Sequence, residues 1–106
     1  MKKVRDLLLG WMFMSMLSSC SALPTPHENF KNIMQSNIGK RESDPSSYLS
    51  RYPQRVFDSK HLPNGNTETE YRRSEKCRVF FEIELDSRII VGWRFEGNEK
   101  DCDIVP

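Results

Sequence analysis

The sequence is poor in the residue patterns that build catalytic, metal and cofactor sites. It has two histidines, His27 and His61, which lie too far apart in the chain to indicate a ligand cluster. Its three cysteines include no Cys-x-x-Cys pair, the spacing typical of zinc and dithiol redox sites. Neither a glycine-rich phosphate loop nor a nucleophile elbow occurs among the five glycines. We therefore predict no metal, no cofactor and no enzyme activity.

An excess of one charge is also absent. The 106 residues include 16 Lys and Arg and 15 Asp and Glu. Residues 1–19 contain three of the basic residues and one of the acidic ones, so the remaining 87 residues carry 13 basic and 14 acidic side chains, a net charge of −1. A balanced surface of this kind lacks the basic patch that nucleic-acid binding requires. We predict no nucleic-acid partner, and no small-molecule substrate is indicated.

The chain has no apolar run of about twenty residues, the length that a helix needs to cross a bilayer. Its longest run, residues 7–17, is dominated by Leu, Met, Phe and Trp and follows Lys2, Lys3 and Arg5. A positive start before a short apolar run, followed by small residues, is typical of a secretory signal. We predict that residues 1–19 are a signal peptide.

Residues 17–20, Leu-Ser-Ser-Cys, resemble the bacterial lipobox, in which the cysteine becomes the first residue of the mature chain and carries a lipid. The resemblance implies that Cys20 is lipidated and holds the protein to a membrane, because two or three acyl chains anchor stably. An aspartate directly after the lipidated cysteine would favour the inner membrane. Ser21 stands at that position instead, so we expect the outer membrane, with the protein facing the periplasm. Cleavage of an ordinary signal near Ala22 and a retained transmembrane anchor are the alternatives.

Cys77 and Cys102 remain after such processing, and we predict that they form a structural disulfide. An exported chain meets an oxidising compartment, where paired cysteines are usually bridged. Closing the loop between them stabilises a small domain by roughly 3 kcal/mol in the chain-entropy model. A reactive thiol pair is the alternative interpretation.

Residues 20–25 are predicted to be a short tether, and residues 26–106 one small periplasmic domain. Thr25 followed by Pro26 and Glu28 is typical of a helix start, and Gly39 of a helix end. A helix over residues 26–38 would have one apolar face, formed by Phe30, Ile33, Met34 and Ile38. A second, short helix is expected over residues 44–50.

Alternating residues predict strands after these helices. Residues 55–61 and 66–73 flank the turn signal Pro63-Asn64-Gly65, and residues 77–83 and 89–95 flank Asp86-Ser87-Arg88. The expected fold class is α+β. One or two N-terminal helices would pack on a three- to four-stranded antiparallel β meander with one disulfide.

The register of the last hairpin follows from its alternation. The inner positions are predicted to pair Ile83 with Val91, Phe81 with Trp93, and Val79 with Phe95. On the outer face Arg78 would then lie opposite Glu96, a favourable cross-strand pair, and Cys77 opposite Gly97.

Phe80 and Ile90 are apolar residues on the side of this hairpin that the alternation assigns to solvent, near Arg94. One interpretation is that the second helix or residues 48–52 cover them. The functional interpretation is a contact patch for a partner protein, formed by Phe80, Ile90 and Arg94. The outward carboxylate pairs of the strands predict a wet face rather than catalysis.

The C-terminal segment, with its Gly-Trp-Arg-Phe-Glu-Gly stretch and closing Asp-Cys, resembles a group of small uncharacterised proteobacterial lipoproteins, a resemblance that implies no activity. A lipid-anchored helix followed by an antiparallel meander also resembles the SmpA/OmlA (BamE) lipoproteins of outer-membrane assembly. Their partner-binding motifs have no match here and the tether is shorter, so only the architecture carries over.

These observations favour a membrane-anchored, non-enzymatic lipoprotein that binds another envelope protein as an accessory subunit. The alternative is a small lipoprotein inhibitor of an envelope hydrolase such as lysozyme. An inhibitor needs an exposed loop that enters an enzyme cleft, and residues 62–66 are the candidate loop.

Overall fold

The computed structural model describes residues 23–106. The predicted signal peptide, residues 1–19, and the predicted lipidation site, Cys20, lie outside the described residues. The elements are, in chain order, α1 (Pro26–Gln35), α2 (Tyr48–Arg51), a 3₁₀ turn (Pro53–Arg55), β1 (Val56–His61), β2 (Thr67–Ser74), β3 (Cys77–Ile83) and β4 (Ile90–Glu96). The predicted α+β class is confirmed.

Helix α1 begins as predicted and ends earlier. The Thr25 hydroxyl accepts a hydrogen bond from the Glu28 amide at 3.1 Å, and Pro26 occupies the first turn. The helix stops at Gln35, three residues short of the predicted end. There the amide of Asn37 donates to the carbonyls of residues 33 and 34, and this side-chain bonding competes with another helical turn.

Helix α2 is shorter than predicted because Ser47, and not Asp44, provides its cap. The Ser47 hydroxyl accepts from the Ser50 amide at 3.2 Å. Asp44 instead accepts from the amide of Ser46 at 2.8 Å and forms a turn before the helix. Buried Asn37 accepts from the Tyr48 amide at 2.8 Å, which joins the end of α1 to the start of α2.

The four strands form one antiparallel meander in the order β1-β2-β3-β4. Three predicted pairs of the last hairpin are confirmed: Arg78 with Glu96, Val79 with Phe95, and Phe81 with Trp93. The fourth is wrong, because a β-bulge shifts the register after Glu82 and Ile83 pairs with Ile90 rather than Val91.

The core lies between one face of the sheet and the two helices. Phe30 of α1 meets Trp93 and Phe95 of β4 edge to face at 6.0 and 5.6 Å. Tyr48 of α2 lies 5.8 Å from Tyr71 of β2. The buried cluster is Phe30, Met34, Leu49, Tyr71, Cys77, Val79, Phe81, Ile83, Ile90 and Cys102.

The predicted disulfide between Cys77 and Cys102 is present, with both residues 0% exposed. It holds the last residues of the described chain against the start of α1. The amide of Ile104 donates to the carbonyl of Pro26 at 3.0 Å, and the His27 ring contacts the carbonyl of Cys102 at 2.7 Å. Both ends of the described chain therefore lie at one end of the sheet, called here the disulfide end. The turns at residues 62–66 and 84–89 form the opposite end, called the turn end.

Candidate functional site

The sheet has one face without a helix over it in the described part of the chain. Along β2 and β3 the side chains alternate between the buried core and this second face, where most carry charge. We call this second face the open face, and its eight central residues are Lys60, Glu68, Glu70, Arg78, Phe80, Glu82, Arg94 and Glu96.

Phe80 lies near the centre of the open face, and arginine side chains cover it. Its exposed fraction is 8%. The guanidinium carbon of Arg94 lies 4.0 Å from the ring centroid, and that of Arg78 lies 5.7 Å away. Cover by the second helix or by residues 48–52 is therefore a wrong expectation, since that segment packs against Tyr71 on the other face.

Arg94 also forms the best-aligned ion pair of the open face. Its Nε and one terminal nitrogen donate to the two carboxylate oxygens of Glu68 at 3.2 and 3.0 Å. Lys60 adds a contact to Glu68 at 3.5 Å. The hydrogen bond from Arg94 holds the pKa of Glu68 below its ordinary value, and the same bond raises the pKa of Arg94.

A second set of charges continues across the open face. Arg78 contacts Glu96 at 3.2 Å, the predicted cross-strand pair, and Glu70 at 3.8 Å. Arg72 binds Glu70 at 3.0 Å. Each described carboxylate of β2 is therefore met by arginine. The arginines of these pairs are 42–51% exposed at the side chain and the β2 glutamates 12%, so water partly screens the pairs and their net contribution to stability is small.

A groove of about 340 Å³ runs over the open face between β1 and β4. Phe80 and Arg94 line it, together with Glu68, Glu70 and residues 58–60. The groove combines one shielded aromatic ring with alternating charges. It suits a polar protein surface that supplies its own charged side chains, rather than an apolar ligand.

Ile90 does not belong to this patch. The sequence places it beside Phe80 on the outer face, but the bulge that pairs it with Ile83 turns it into the core, where it is 0% exposed. Val91 is exposed instead, at 44%. The prediction of Ile90 as a partner contact is corrected, while Phe80 and Arg94 are adjacent on one face.

Glu68 is the member of this site that the sequence did not link to Arg94. The two residues lie on β2 and β4, which are separated by β3, and their contact reaches diagonally over Phe80. Alternation along the two strands places both side chains on the same outward face. It does not fix the register of the strands, and so it does not show that the two side chains meet.

The remaining titratable residues form no metal-ligand cluster within residues 23–106. No three His, Cys, Asp or Glu side chains there are placed to hold a metal ion. His27 packs between the rings of Phe30 and Phe95 at 5.9 and 5.4 Å, a structural position. No helix in this part of the chain is both long and apolar enough to cross a bilayer.

Comparisons of the chain with protein-family models, with curated proteins and with solved structures found no match.

Proposed function

We propose that the protein is a lipoprotein, anchored through Cys20 to the outer membrane and facing the periplasm, which binds another envelope protein as a non-enzymatic accessory subunit. The observation that carries the binding role is the open face. A four-stranded sheet with a helix layer on one side presents its other side, with Phe80 and Arg94 near the centre, to a partner.

The geometry of the disulfide end supports the anchoring part of the proposal. Helix α1 begins at Pro26, and five residues separate it from Cys20. A five-residue tether reaches about 17 Å when extended. A lipid on Cys20 would hold the disulfide end near the bilayer and direct the turn end away from it, leaving the open face accessible from the side.

The first experiment tests anchoring. Palmitate labelling of cells that express the wild-type chain should give a labelled protein, and Cys20→Ala should abolish the label. Membrane fractionation of the two forms then shows which membrane holds the protein. A wild-type chain without acyl label would contradict the lipoprotein proposal.

The second experiment tests the open face with a photo-crosslinking amino acid. Lys60 on the open face is 64% exposed at its side chain and gives the test position, while Lys31 on the exposed side of α1 gives the control. In native membranes we expect a defined crosslinked envelope protein from position 60 and none from position 31. Equal products from both positions would contradict a specific surface.

Substitution of Arg94 sharpens that test. Arg94→Gln removes the guanidinium that covers Phe80 and should reduce the crosslink from position 60 by about tenfold, since central interface arginines commonly contribute a kcal/mol or more. Phe80→Asp is the less useful variant, because a residue that is 8% exposed cannot accept a carboxylate without loss of stability. Arg51→Gln, on α2, is the matched control.

The inhibitor of an envelope hydrolase is kept as a second candidate because of the turn at residues 62–66. The side-chain amides of Asn64 and Asn66 both donate to one carboxylate oxygen of Glu82, at 3.2 and 2.8 Å. The backbone amide of Leu62 donates to the backbone carbonyl of Asn66 at 2.8 Å. A turn held this way loses little entropy on entering a cleft.

Lysozyme assays with the wild-type chain and with Pro63→Arg, which blocks entry of the tip of the turn, test the inhibitor function. Inhibition that Pro63→Arg relieves would support this candidate, and absent inhibition would remove lysozyme as the target.

A further inference from the structure

A second cavity, separate from the open face, lies at the disulfide end on the helix side of the sheet. Its volume is about 220 Å³. It lies between α2, the 3₁₀ turn, the end of β2 and the C-terminal segment. Its lining residues are Tyr48, Tyr52, Arg55, Tyr71, Arg73 and Ile104.

Tyr71 is the most buried member of this cavity. The residue is 1% exposed, and its ring packs against Tyr48 and Phe81. No hydrogen bond joins its hydroxyl to any residue within 23–106. Yet that part of the chain contains no sealed side-chain oxygen or nitrogen without a partner. Among the described residues the hydroxyl has no partner, and Tyr71 lines the cavity.

Two further tyrosines surround it. The rings of Tyr48 and Tyr52 lie 5.1 Å apart, and Tyr48 lies 5.8 Å from Tyr71. Burial raises the pKa of Tyr71 to about 12 and raises that of Tyr48. Both hydroxyls therefore keep their protons at neutral pH and can donate hydrogen bonds to an acceptor.

Arg55 and Arg73 give the cavity a positive charge. Arg55 donates to the carbonyl of Arg73 at 2.8 Å, which fixes its guanidinium at the cavity wall. The arginines in ion pairs within residues 23–106 are Arg72, Arg78, Arg88 and Arg94, and neither cavity arginine is among them. Their charges act on the Tyr71 hydroxyl, since both favour its ionised form. The cavity therefore combines two guanidinium groups with tyrosine hydroxyls, and none of its described lining residues carries a carboxylate.

We propose that this cavity binds a phosphate group, held by the guanidinium groups of Arg55 and Arg73 and by the hydroxyls of Tyr48 and Tyr71. Every polar side chain there is a donor at neutral pH, and a phosphate offers several acceptor oxygens and negative charge. The volume leaves room for a small organic group on the phosphate. Two sources share this chemistry: a phospholipid headgroup at the membrane near the disulfide end, and a free phosphate compound.

The first arm of the test uses free ligands. Inorganic phosphate and glycerol 3-phosphate are titrated into the full ¹⁵N-labelled chain in a maltoside detergent, with sodium chloride at matched ionic strength as the blank. Saturable shifts of the amides of residues 48, 71 and 73 are expected. Arg73→Gln should weaken the phosphate affinity by about tenfold, the effect of one lost charge-assisted hydrogen bond.

Tyr71→Phe is the most informative variant because it removes one oxygen and keeps the packed ring. It should weaken phosphate binding several-fold while the unfolding midpoint in urea stays within error of wild type. Lys31→Gln removes an equal charge from the exposed side of α1, at a residue that does not line the cavity, and should leave phosphate binding unchanged.

The second arm uses nanodiscs of phosphatidylglycerol in place of free ligand. Shifts of the cavity amides with both free compounds assign the site to free phosphate compounds, and shifts with the nanodiscs alone assign it to a headgroup. The proposal is overturned if neither arm moves these amides. It is also overturned if Lys31→Gln weakens binding as much as Arg73→Gln does, because the attraction is then general to the basic residues of the surface. Neither outcome bears on the open face or on Cys20.

Discussion

The guanidinium of Arg94 lies 4.0 Å above the Phe80 ring while it donates to both carboxylate oxygens of Glu68. One side chain of β4 thereby contacts side chains of both β3 and β2. The ring is shielded from water by the arginine, and the arginine is fixed by the carboxylate. This three-residue contact is the local feature that both the stability of the open face and its proposed binding role depend on.

Arg94→Gln is expected to lower the free energy of unfolding at pH 7 by about 1 kcal/mol or less, because Arg94 is half exposed and water weakens the pair. The measurement is a urea titration of the wild type and the variant. Arg51→Gln, which makes the same charge change away from Glu68, should have a smaller effect. A loss of several kcal/mol would show that the pair is much less screened than its exposure indicates.

The pH dependence of this effect follows from the pKa of Glu68. Arg94 lowers that pKa below the ordinary value of 4.5, so the folded state favours the carboxylate more than the unfolded state does. The stabilisation is present above pH 4.5 and is lost as the pH falls through the lowered folded pKa. The difference between wild type and Arg94→Gln should therefore stay constant above pH 4.5 and shrink as the pH falls below it. A difference that stays constant below pH 4.5 as well would exclude Glu68 as its source.

The bulge in β4 predicts opposite outcomes for two adjacent residues. Ile90→Ala removes a side chain that is 0% exposed and should cost about 2–5 kcal/mol. Val91→Ala changes a residue that is 44% exposed and should cost under about 1 kcal/mol. Chemical unfolding of both variants distinguishes the observed register from one without the bulge, for which the larger loss would fall on Val91.

Removal of the disulfide by Cys77→Ala with Cys102→Ala should lower the free energy of unfolding by roughly 3 kcal/mol. Amides of residues 98–104 should exchange with solvent faster, since this segment is held there by the bond and by the contacts of Ile104 and Asn29 with their neighbours. In wild type denatured without reductant, thiol reagents should label neither Cys77 nor Cys102, because the two sulfurs are bonded to each other. Labelling of both residues under these conditions would refute the bridge.

Gly97→Ala should destabilise the protein by about 1–3 kcal/mol or more. Its φ of 139° disfavours any side chain, and a Cβ would overlap the carbonyl oxygen of Lys76 and approach the Cys102 sulfur at 3.2 Å. Gly92→Ala is the matched control, since its Cβ would make an ordinary 3.8 Å contact with Glu82. Thermal unfolding of the two variants should separate them, and equal melting temperatures would contradict the close approach at Gly97.

Much of the fold is predictable because the decisive interactions are local. The start of α1 depends on three residues in sequence, Thr25, Pro26 and Glu28, and the inner face of β2 on simple alternation. The bulge was not predictable, since alternation counted from a turn assumes no inserted residue, and a single insertion exchanged Ile90 and Val91 between core and solvent.

The sites were harder to predict than the elements. The sequence placed Phe80 and Arg94 on one face, but the choice of which face the helices cover depends on the summed packing of the whole core. The proposed phosphate cavity combines residues 48–55, 71–73 and 104, and its central feature is a tyrosine hydroxyl without a hydrogen bond to any residue within 23–106. No local pattern in the sequence marks such a group.

The hydrogen bond between Ile104 and Pro26 has a practical consequence for mapping the surroundings of the protein. A proximity-labelling enzyme fused after Pro106 would sample the neighbourhood of the tether, because both chain ends leave the fold together. Molecules near the turn end would not receive that label. A reporter inserted in one of the turns there, for example within residues 84–89, would reach them, and a comparison of the two sets of labelled molecules would give the protein's orientation in the cell.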